Sequence, residues 1–381
     1  MEEWIKCPLG DILNFRRGHD LPKTSMIPGD IPVAGSNGII GFHNVDTSIS
    51  PCITIGRSGN VGTPYIYDKC WAHNTVLYID DYKGNDPKYL YYLLKTLPLA
   101  SFGGGSAVPT LNRNHIHPLE VVFCKDIKLQ KKIAGILSKI DDKIELNRQI
   151  NDNLEQQLQA LYNEWFVENP KSDWHSVNLS EIATFVSGYS YKGNELVENS
   201  DTAMATIKNF ERNGGFKIDG YKPIIPSPKL KVEQRAQLFD ILVAHTDLTQ
   251  NAEVIGNAEI LLSKNIYKDL IFSMDLVKVN AKESFPFQFL LALLLKNPRF
   301  KSHCIGYVNG TTVLHMNKRA LPDYETIIPN LEDAQNLNAT AKAIFCQMSE
   351  NLTEISNLTT MRDTLLPKLM SGELKINELD C

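Results

Sequence analysis

Between Ile133 and Trp165, apolar and amide residues recur in steps of three and four: Ile133, Leu137, Ile140, Ile144, Asn147, Asn151, Leu154, Leu158, Leu161 and Trp165. This is the a/d seam of a helix that packs on another helix, with two polar positions in its middle. After Gly135 neither glycine nor proline interrupts it, and most of the intervening residues favour helix. Residues 133–165 would make a rod of roughly 50 Å at ~1.5 Å rise per residue. Such a seam needs a second stripe to cover it. The same spacing returns near the end of the chain as Ala341, Phe345, Met348, Leu352, Ile355, Thr359, Arg362, Leu366 and Leu369. Both stripes turn polar part-way along, so a specified pairing is expected. The alternative is two separate amphipathic helices, each lying on its own domain.

The 381 residues leave room for two or three domains around that pair. The hydrophobic and charged contents, 43% and 22%, are those of a soluble globular protein. The richest apolar run, Phe285 to Leu295, is shorter than a bilayer requires and carries Pro286 and Gln288. The start, MEEWIK, is acidic and lacks an apolar signal core, so a cytoplasmic protein without membrane contact is expected. Cys7, Cys52, Cys70, Cys124, Cys304, Cys346 and Cys381 are scattered without a CxxC pair. They are expected to be reduced, mostly buried thiols. A net charge of −5 argues against a histone-like polyanion binder and leaves local basic patches open.

Read against itself, the chain repeats. Trp4, Leu9, Ile12 and Gly18 recur 170 positions later as Trp174, Leu179, Ile182 and Gly188. Gly105-Ser-Ala-Val-Pro-Thr-Leu-Asn112 resembles Gly310-Thr-Thr-Val-Leu-His-Met-Asn317, 205 positions on, so the second half carries about 35 extra residues between these landmarks. Leu158 and Leu161 align with Leu366 and Leu369. Each half reads as mostly strand. Ile31–Ala34, Cys52–Gly56 and Val76–Asp80 are short β-rich runs bounded by turn residues. Pro87–Lys95 and its counterpart Phe287–Lys296 read as helices. Leu119–Cys124 and Tyr324–Pro329 read as last strands before the long helices, and Asn169–Trp174 as a polar linker.

Ile55-Gly-Arg-Ser-Gly-Asn-Val-Gly62 is the most suggestive loop. Its glycines allow backbone amides to approach an anion, and Arg57, Ser58 and Asn60 add donors. No Lys-Ser/Thr pair follows at Walker spacing. A ligand-free tight turn and a loop touching nucleic acid both stay open. Phe102-Gly-Gly-Gly-Ser106 superficially resembles the glycine loop of S-adenosylmethionine enzymes, but it lacks the strand-then-helix context. No Asn/Asp-Pro-Pro-aromatic tetrad is present. His115 and His117, with His73 and His43 elsewhere, lack the partners of a zinc site and are expected as partly exposed imidazoles, with no metal bound. No nucleophile elbow, catalytic triad or acidic metal cluster stands out.

Basic and polar residues gather near the repeat landmarks. In the first half they are Arg16, Arg17, Lys23, Arg57, Ser58, Asn60, Lys69 and Arg113. In the second they are Tyr189, Tyr191, Lys192, Lys208, Thr246, Thr249, Gln250, Lys318 and Arg319. Arginine reads guanine bidentately, asparagine and glutamine read adenine, and lysine or arginine on phosphate supplies the sequence-independent affinity. These residues are the candidate DNA contacts. For any one of them, solvated surface charge is the competing assignment.

Arg362-Asp-Thr-Leu-Leu-Pro-Lys-Leu-Met-Ser-Gly-Glu373 is similar to the ending of the specificity subunits of type I restriction–modification enzymes. Leu154 to Phe166, the Trp4 to Asp11 opening and the glycine loop resemble them too. The resemblance spans essentially the whole chain. It implies an α+β fold: two β-rich target-recognition domains, 1–126 and 169–330, separated by an antiparallel coiled coil of two long helices, 127–168 and 331–381. In that spacer Ile140, Ile144, Leu154, Leu158, Leu161, Met348, Leu352, Ile355, Leu366 and Leu369 would form the seam. It further implies a non-catalytic DNA-binding protein that reads a split, asymmetric double-stranded target. Two modification (methyltransferase) subunits and a restriction/motor subunit would be its partners, with S-adenosylmethionine bound by the former and no cofactor bound directly. The second half has Val243-Ala-His-Thr-Asp-Leu-Thr-Gln250 in place of the glycine loop, as reading two different half-sites would require. Two other readings keep the architecture: a recognition subunit of another phage-defence system, and a coiled-coil adaptor that binds only proteins.

Overall fold

The protein is described by a computed structural model over residues 4–104, 109–249, 251–310 and 313–376. The chain divides into two compact units of mixed α and β structure. One comprises Met1–Lys143 and Leu358–Cys381, the other Ile144–Asn357. The long helices are continuous over Ile127–Tyr162 and Leu331–Ser371, so each contributes residues to both units.

In the first unit the central sheet has the strand order Asn14–Arg17, Val76–Asp81, Cys52–Gly56, Pro64–Tyr67. A second sheet places Gly38–His43 beside Ile31–Gly35, which pairs in parallel with Trp71–Ala72. Trp4–Pro8 pairs antiparallel with Glu120–Cys124, just ahead of the first long helix. The helix Pro87–Thr96 starts where Asp86 accepts the Tyr89 N–H at 2.9 Å and proline occupies the first turn. Its Leu90, Leu93 and Leu94 join Phe15, Ile53, Ile55 and Ile79 in one core. The early turns of the first long helix close that core with Ile133, Ala134 and Leu137. The last turns of the second close it with Leu366, Leu369 and Met370. Arg362 Nη1 donates to Asp141 Oδ1 at 2.8 Å, and the Tyr92 hydroxyl donates to the other oxygen of the same carboxylate at 2.8 Å. Gly372 ends the helix at φ +75°, and a Cβ there would lie 2.7 Å from the Trp4 indole. Only glycine suits both the left-handed turn and the ring pressed against it.

The second unit repeats the plan. Its central sheet runs Ala183–Ser187, Leu276–Ala281, Ile241–Ala244, Ala258–Ile260. A second sheet carries the parallel pair Thr202–Ala205 and Asp269–Phe272, and His175–Asn178 pairs with Glu325–Ile328. The duplicated landmarks coincide in detail. Leu9 and Leu179 are both fully buried in four-residue helices. The Gly18 N–H donates to Val76 O as the Gly188 N–H does to Leu276 O. A Cβ on Gly18 would meet His73 O at 2.0 Å, and one on Gly188 would meet Ser273 O at 2.0 Å. The repeated glycine therefore marks one close backbone crossing made twice. Much of the extra length in the second half enters before Ala244, as 3-10 turns and the short strands Lys222–Pro223 and Arg235–Ala236.

Within this unit the long helices run antiparallel. Asn151 Nδ2 donates to Met348 O at 3.2 Å, Asn351 Nδ2 to Asn151 Oδ1 at 2.8 Å, and Asn147 Nδ2 to Glu354 Oε2 at 2.7 Å. Leu158, Ala341, Phe345 and Met348 are buried in one cluster, with Leu154 and Trp165 packed against it. Ile140, Ile144 and Ile355 are buried, and Leu161 and Leu352 half-buried.

Two expectations, on the cysteines and on His43, are corrected. The first long helix begins at Ile127, where the Asp126 carboxylate accepts the Lys128 N–H at 2.8 Å. Its end passes through a π-type turn over Asn163–Glu168. Cys52 and Cys70 are joined as a disulfide, while Cys7, Cys124, Cys304 and Cys346 are free thiols. Cys381 lies outside the described residues. The pairing arises because Cys52 opens one strand and Cys70 immediately precedes another. His43, expected to be partly exposed, is buried, and its Nδ1 accepts the Ile27 N–H at 3.0 Å.

The polar seam carries a testable cost. Asn147 is 1% exposed, and its Oδ1 has no hydrogen-bond partner among the described residues. Such an atom costs about 1–3 kcal/mol. Asn147→Leu is expected to raise the melting temperature by a few degrees while admitting helix pairings in other registers. Thermal melting and native mass spectrometry check both parts; a single species in the variant counts against the register role.

Candidate nucleic-acid interface

Four of the arginines singled out from the sequence converge in the first unit. Arg16 and Arg17 lie on the edge strand Asn14–Arg17, Arg57 follows the strand Cys52–Gly56, and Arg113 opens a short helical turn. Together with Leu77, Thr110, Leu111 and Asn112 they line one cleft of about 390 Å³. No carboxylate is among the described residues that line it. Antiparallel pairing brings the strands together, with Arg17 opposite Leu77 and Gly56 opposite Val76. Two of the guanidinium groups are held by backbone. Arg113 Nη1 donates to Phe15 O at 3.2 Å, and Arg57 Nη1 to Asn74 O at 3.4 Å. Burial first, and then the like charge of Arg17, lowers the Arg57 pKa. Arginine nonetheless stays charged at any physiological pH. A permanent cationic cleft of this kind suits a polyanion.

In the glycine loop beside it, four backbone amides are bonded within the chain. The Arg57 and Ser58 amides donate to Thr75 O, the Gly59 amide to Pro109 O and the Gly62 amide to Gly56 O. Gly59 and Gly62 take positive φ, +86° and +81°, and a Cβ on Gly56 would overlap Asn60 O at 1.7 Å. The glycines therefore make the tight turn. Ser58 is half-buried; Asn60 is exposed and accepts from Thr63 Oγ1 at 3.2 Å. Lys23 and Lys69 are exposed and outside the cleft, Lys69 lying 3.8 Å from Asp46.

The second-unit candidates do not gather in the same way. Tyr189 is buried, and its hydroxyl is shared with Glu195 and Ser227 at 2.8 Å. Thr246 is buried and donates to Asp275 Oδ1 at 3.1 Å, while Thr249 donates to Asp247 Oδ1 at 2.8 Å. These three side chains serve the unit's own packing. Tyr191 is half-buried; Lys192, Lys208, Lys318 and Arg319 are exposed, and Arg319 lies 3.9 Å from Asp323. Gln250 falls outside the described residues, as do Gly105 to Val108 and the pair Thr311 and Thr312 of the repeated segments.

Sequence reading missed His245. Its N–H donates to Asp275 O at 2.8 Å, as the Arg57 N–H does to Thr75 O at 2.8 Å. Its carbonyl accepts from the Met316 N–H, as that of Arg57 does from Leu111. His245 thus holds the place of Arg57. Burial first, then His315 and Lys318, lower its pKa, with Asp275 opposing them. The signal was available: both residues come directly after the central strand of a duplicated sheet.

No group of three His, Cys, Asp or Glu side chains is arranged to hold a metal among the described residues, and no helix is long and apolar enough to cross a membrane.

His117 adds a pH-dependent support beneath the cleft. Its Nε2 accepts the Phe15 N–H at 3.1 Å, and its ring stacks on Phe15. Burial first, then Arg113 and Lys83, lower its pKa, with Asp80 opposing them. A histidine held neutral on folding contributes stability that is full above its unfolded-state pKa and is lost as pH falls through the lower folded value. Thermal stability is therefore expected to fall on acidification below the ordinary histidine value of about 6.5. His117→Gln, whose amide oxygen still accepts the Phe15 N–H, should flatten that fall. Melting curves of both proteins across this range check it, and an unchanged slope in the variant removes His117 as the cause.

Comparisons with known proteins agree on one group. Residues 1–156 match the family model of the type I restriction modification DNA specificity domain. The chain is 25% identical to the type I restriction enzyme MjaIX specificity subunit of Methanocaldococcus jannaschii, over 77% of this chain and 70% of that one. It is 27% identical to the HindI specificity subunit of Haemophilus influenzae, over 65% of this chain and 68% of that one. The crystal structure of the S subunit of a type I restriction–modification system from M. genitalium shares the fold. Its TM-score is 0.61, with 17% identity, and the match covers 96% of both chains.

Proposed function

We infer, from the match of residues 1–156 to the model of the type I restriction modification DNA specificity domain, that this chain reads a DNA sequence and addresses it for other subunits. The two β-rich units act as target-recognition domains, 1–126 and 169–330, each reading one half of a split, asymmetric duplex target. The long helices, 127–168 and 331–381, form an antiparallel coiled-coil spacer between the two readers. Two modification subunits bring S-adenosylmethionine and methyl transfer to the site, and a restriction or motor subunit joins them. This chain catalyses nothing itself and works in the cytoplasm.

The observation that carries the reading is the cleft shared by Arg16, Arg17, Arg57 and Arg113. Four permanent cations without a carboxylate in the wall repel one another unless a polyanion covers them. Arg57 and Arg113 are partly fixed by backbone carbonyls, which orients their remaining donors. Oriented guanidinium groups give bidentate reading of guanine or firm phosphate contacts. The internal duplication supports two readers of common frame and different side chains.

Titration of duplex DNA at varied salt tests the reading. Affinity should fall steeply as salt rises, and Arg57→Ala or Arg113→Ala should each reduce the slope by about one where the residue holds a phosphate. A variant that instead relaxes one base position keeps its slope, and would be assigned to base reading. A protein-only adaptor shows no DNA affinity to begin with.

The spacer has its own test. Inserting four residues into both helices is expected to lengthen the unread gap of the target and leave the two half-site sequences unchanged. Methylome sequencing of cells carrying this chain with its modification partner reads both properties. Altered half-sites would argue against a spacer that only measures distance.

A further inference from the structure

At the place where the first unit presents Arg57, the second presents His245, and the substitution extends to its surroundings. The equivalence rests on strand register: Gly56 pairs with Val76 and Ala244 with Leu276, and the next residue in each case is Arg57 or His245. The edge strand that supplies Arg16 and Arg17 supplies Val186 and Ser187 in the second unit, opposite Lys278 and Val277. The strand crossing next to His245 brings His315 opposite Thr246. The first unit thus has four permanent cations at this position; among the described residues, the corresponding positions of the second carry Val186, Ser187, His245 and Lys318, with His315 opposite Thr246.

We propose that His245 and His315 are the specificity-determining DNA contacts of the second unit, and that the protonation state of His245 changes which base is read there. This deepens the DNA-reading function above and rests on it. A guanidinium only donates hydrogen bonds. A neutral imidazole donates with one nitrogen and accepts with the other, so it can take a hydrogen bond from the amino group of adenine or cytosine. Once protonated it donates from both nitrogens and gains a charge attracted to phosphate.

The groups that face His245 favour the neutral form in the free protein. Burial first, then His315 and Lys318, hold its pKa below the ordinary value, and Asp275 acts in the opposite direction. The Asp275 carboxylate is occupied by the Thr246 and Ser273 hydroxyls. His315 is exposed. A DNA phosphate near the His245 ring would favour its charged form, so binding takes up protons, and affinity rises as pH falls.

The test uses the full chain assembled with its modification subunits and a pool of randomised duplexes, selected at about pH 8 and about pH 5.5 at constant ionic strength. The expected result is a bipartite motif whose one half keeps its bases at both values and whose other half changes. Affinity for the selected duplex should tighten roughly tenfold toward the acid side, the effect of about one pKa unit of linked proton uptake. His245→Gln should abolish the change in that half alone, while His315→Gln, an exposed and therefore safer substitution, should loosen binding of that half at both values; no effect of His315→Gln on that half also counts against the proposal. Both halves unchanged with pH, or a change that persists in His245→Gln, overturns the proposal. If no motif is enriched at either pH, the DNA-reading function falls as well, which separates the two failures.

Discussion

Leu366 and Leu369, near the end of the chain, are buried in the same core as Leu9, Phe15 and Ile133. That burial is the constraint on which the architecture depends. The first unit cannot complete its apolar interior until the second long helix has returned to it. The early strands and the first long helix leave a face that only the last turns cover. The ion pair of Arg362 with Asp141, together with the Tyr92 hydroxyl on the same carboxylate, sets where along the helix the cover lands. Burying side chains of this size contributes about 1.5–3 kcal/mol each, more than any one surface pair in the unit would supply.

The second unit is built on the same frame, and the comparison separates what folding requires from what recognition varies. The crossing at Gly18 and Gly188, the buried Leu9 and Leu179, and the strand order of the central sheets are common to both. These features concern backbone approach and burial, where few residues fit. The positions that differ, Arg16 against Val186 and Arg57 against His245, lie at a strand edge and directly after a strand end. There the backbone fixes the place of a side chain but not its type. A frame of this sort allows reading chemistry to change without disturbing the core, and two copies in one chain are free to diverge.

Much of this was legible in the sequence, because the signals were local or periodic. The helix seam follows from three-and-four spacing, and Ile133, Leu137, Ile144 and Leu158 are buried as that spacing requires. Short strands such as Cys52–Gly56 and Val76–Asp81 are bounded by turn residues, and the repeat showed in Trp4, Leu9 and Gly18. What escaped depended on contacts between distant positions. Cys52 and Cys70 pair because two strands start near each other, which their separation along the chain does not reveal. Tyr189 and Thr246 have surface-like side chains, yet their place in the fold buries them against Glu195 and Asp275. The glycine loop had the composition of an anion site, but four of its amides, those of Arg57, Ser58, Gly59 and Gly62, are used by Thr75, Pro109 and Gly56. In the first unit the arginine cluster was picked out residue by residue; that four of them share one cleft is a property of register, not of composition.

The helix seam raises a further question, since an all-apolar pair would be more stable. Within the second unit, Asn151 bonds Asn351 and Met348 O, and Asn147 bonds Glu354. Lys296 bridges Glu155 of the first long helix and Glu259 of the sheet at 3.1 and 2.5 Å. Replacing such buried groups by well-packed hydrophobic residues is often neutral or stabilising, so net stability does not explain them. Apolar side chains at a helix interface tolerate a slip of one turn with little loss, because one Leu replaces another. A buried amide pair or a lysine between two carboxylates does not tolerate it, since each leaves an unsatisfied polar group after the slip. The Arg362–Asp141 pair imposes the same condition within the first unit. Each unit therefore holds its share of the helices by at least one polar contact that is satisfied in a single register. Such contacts supply a single register rather than added stability.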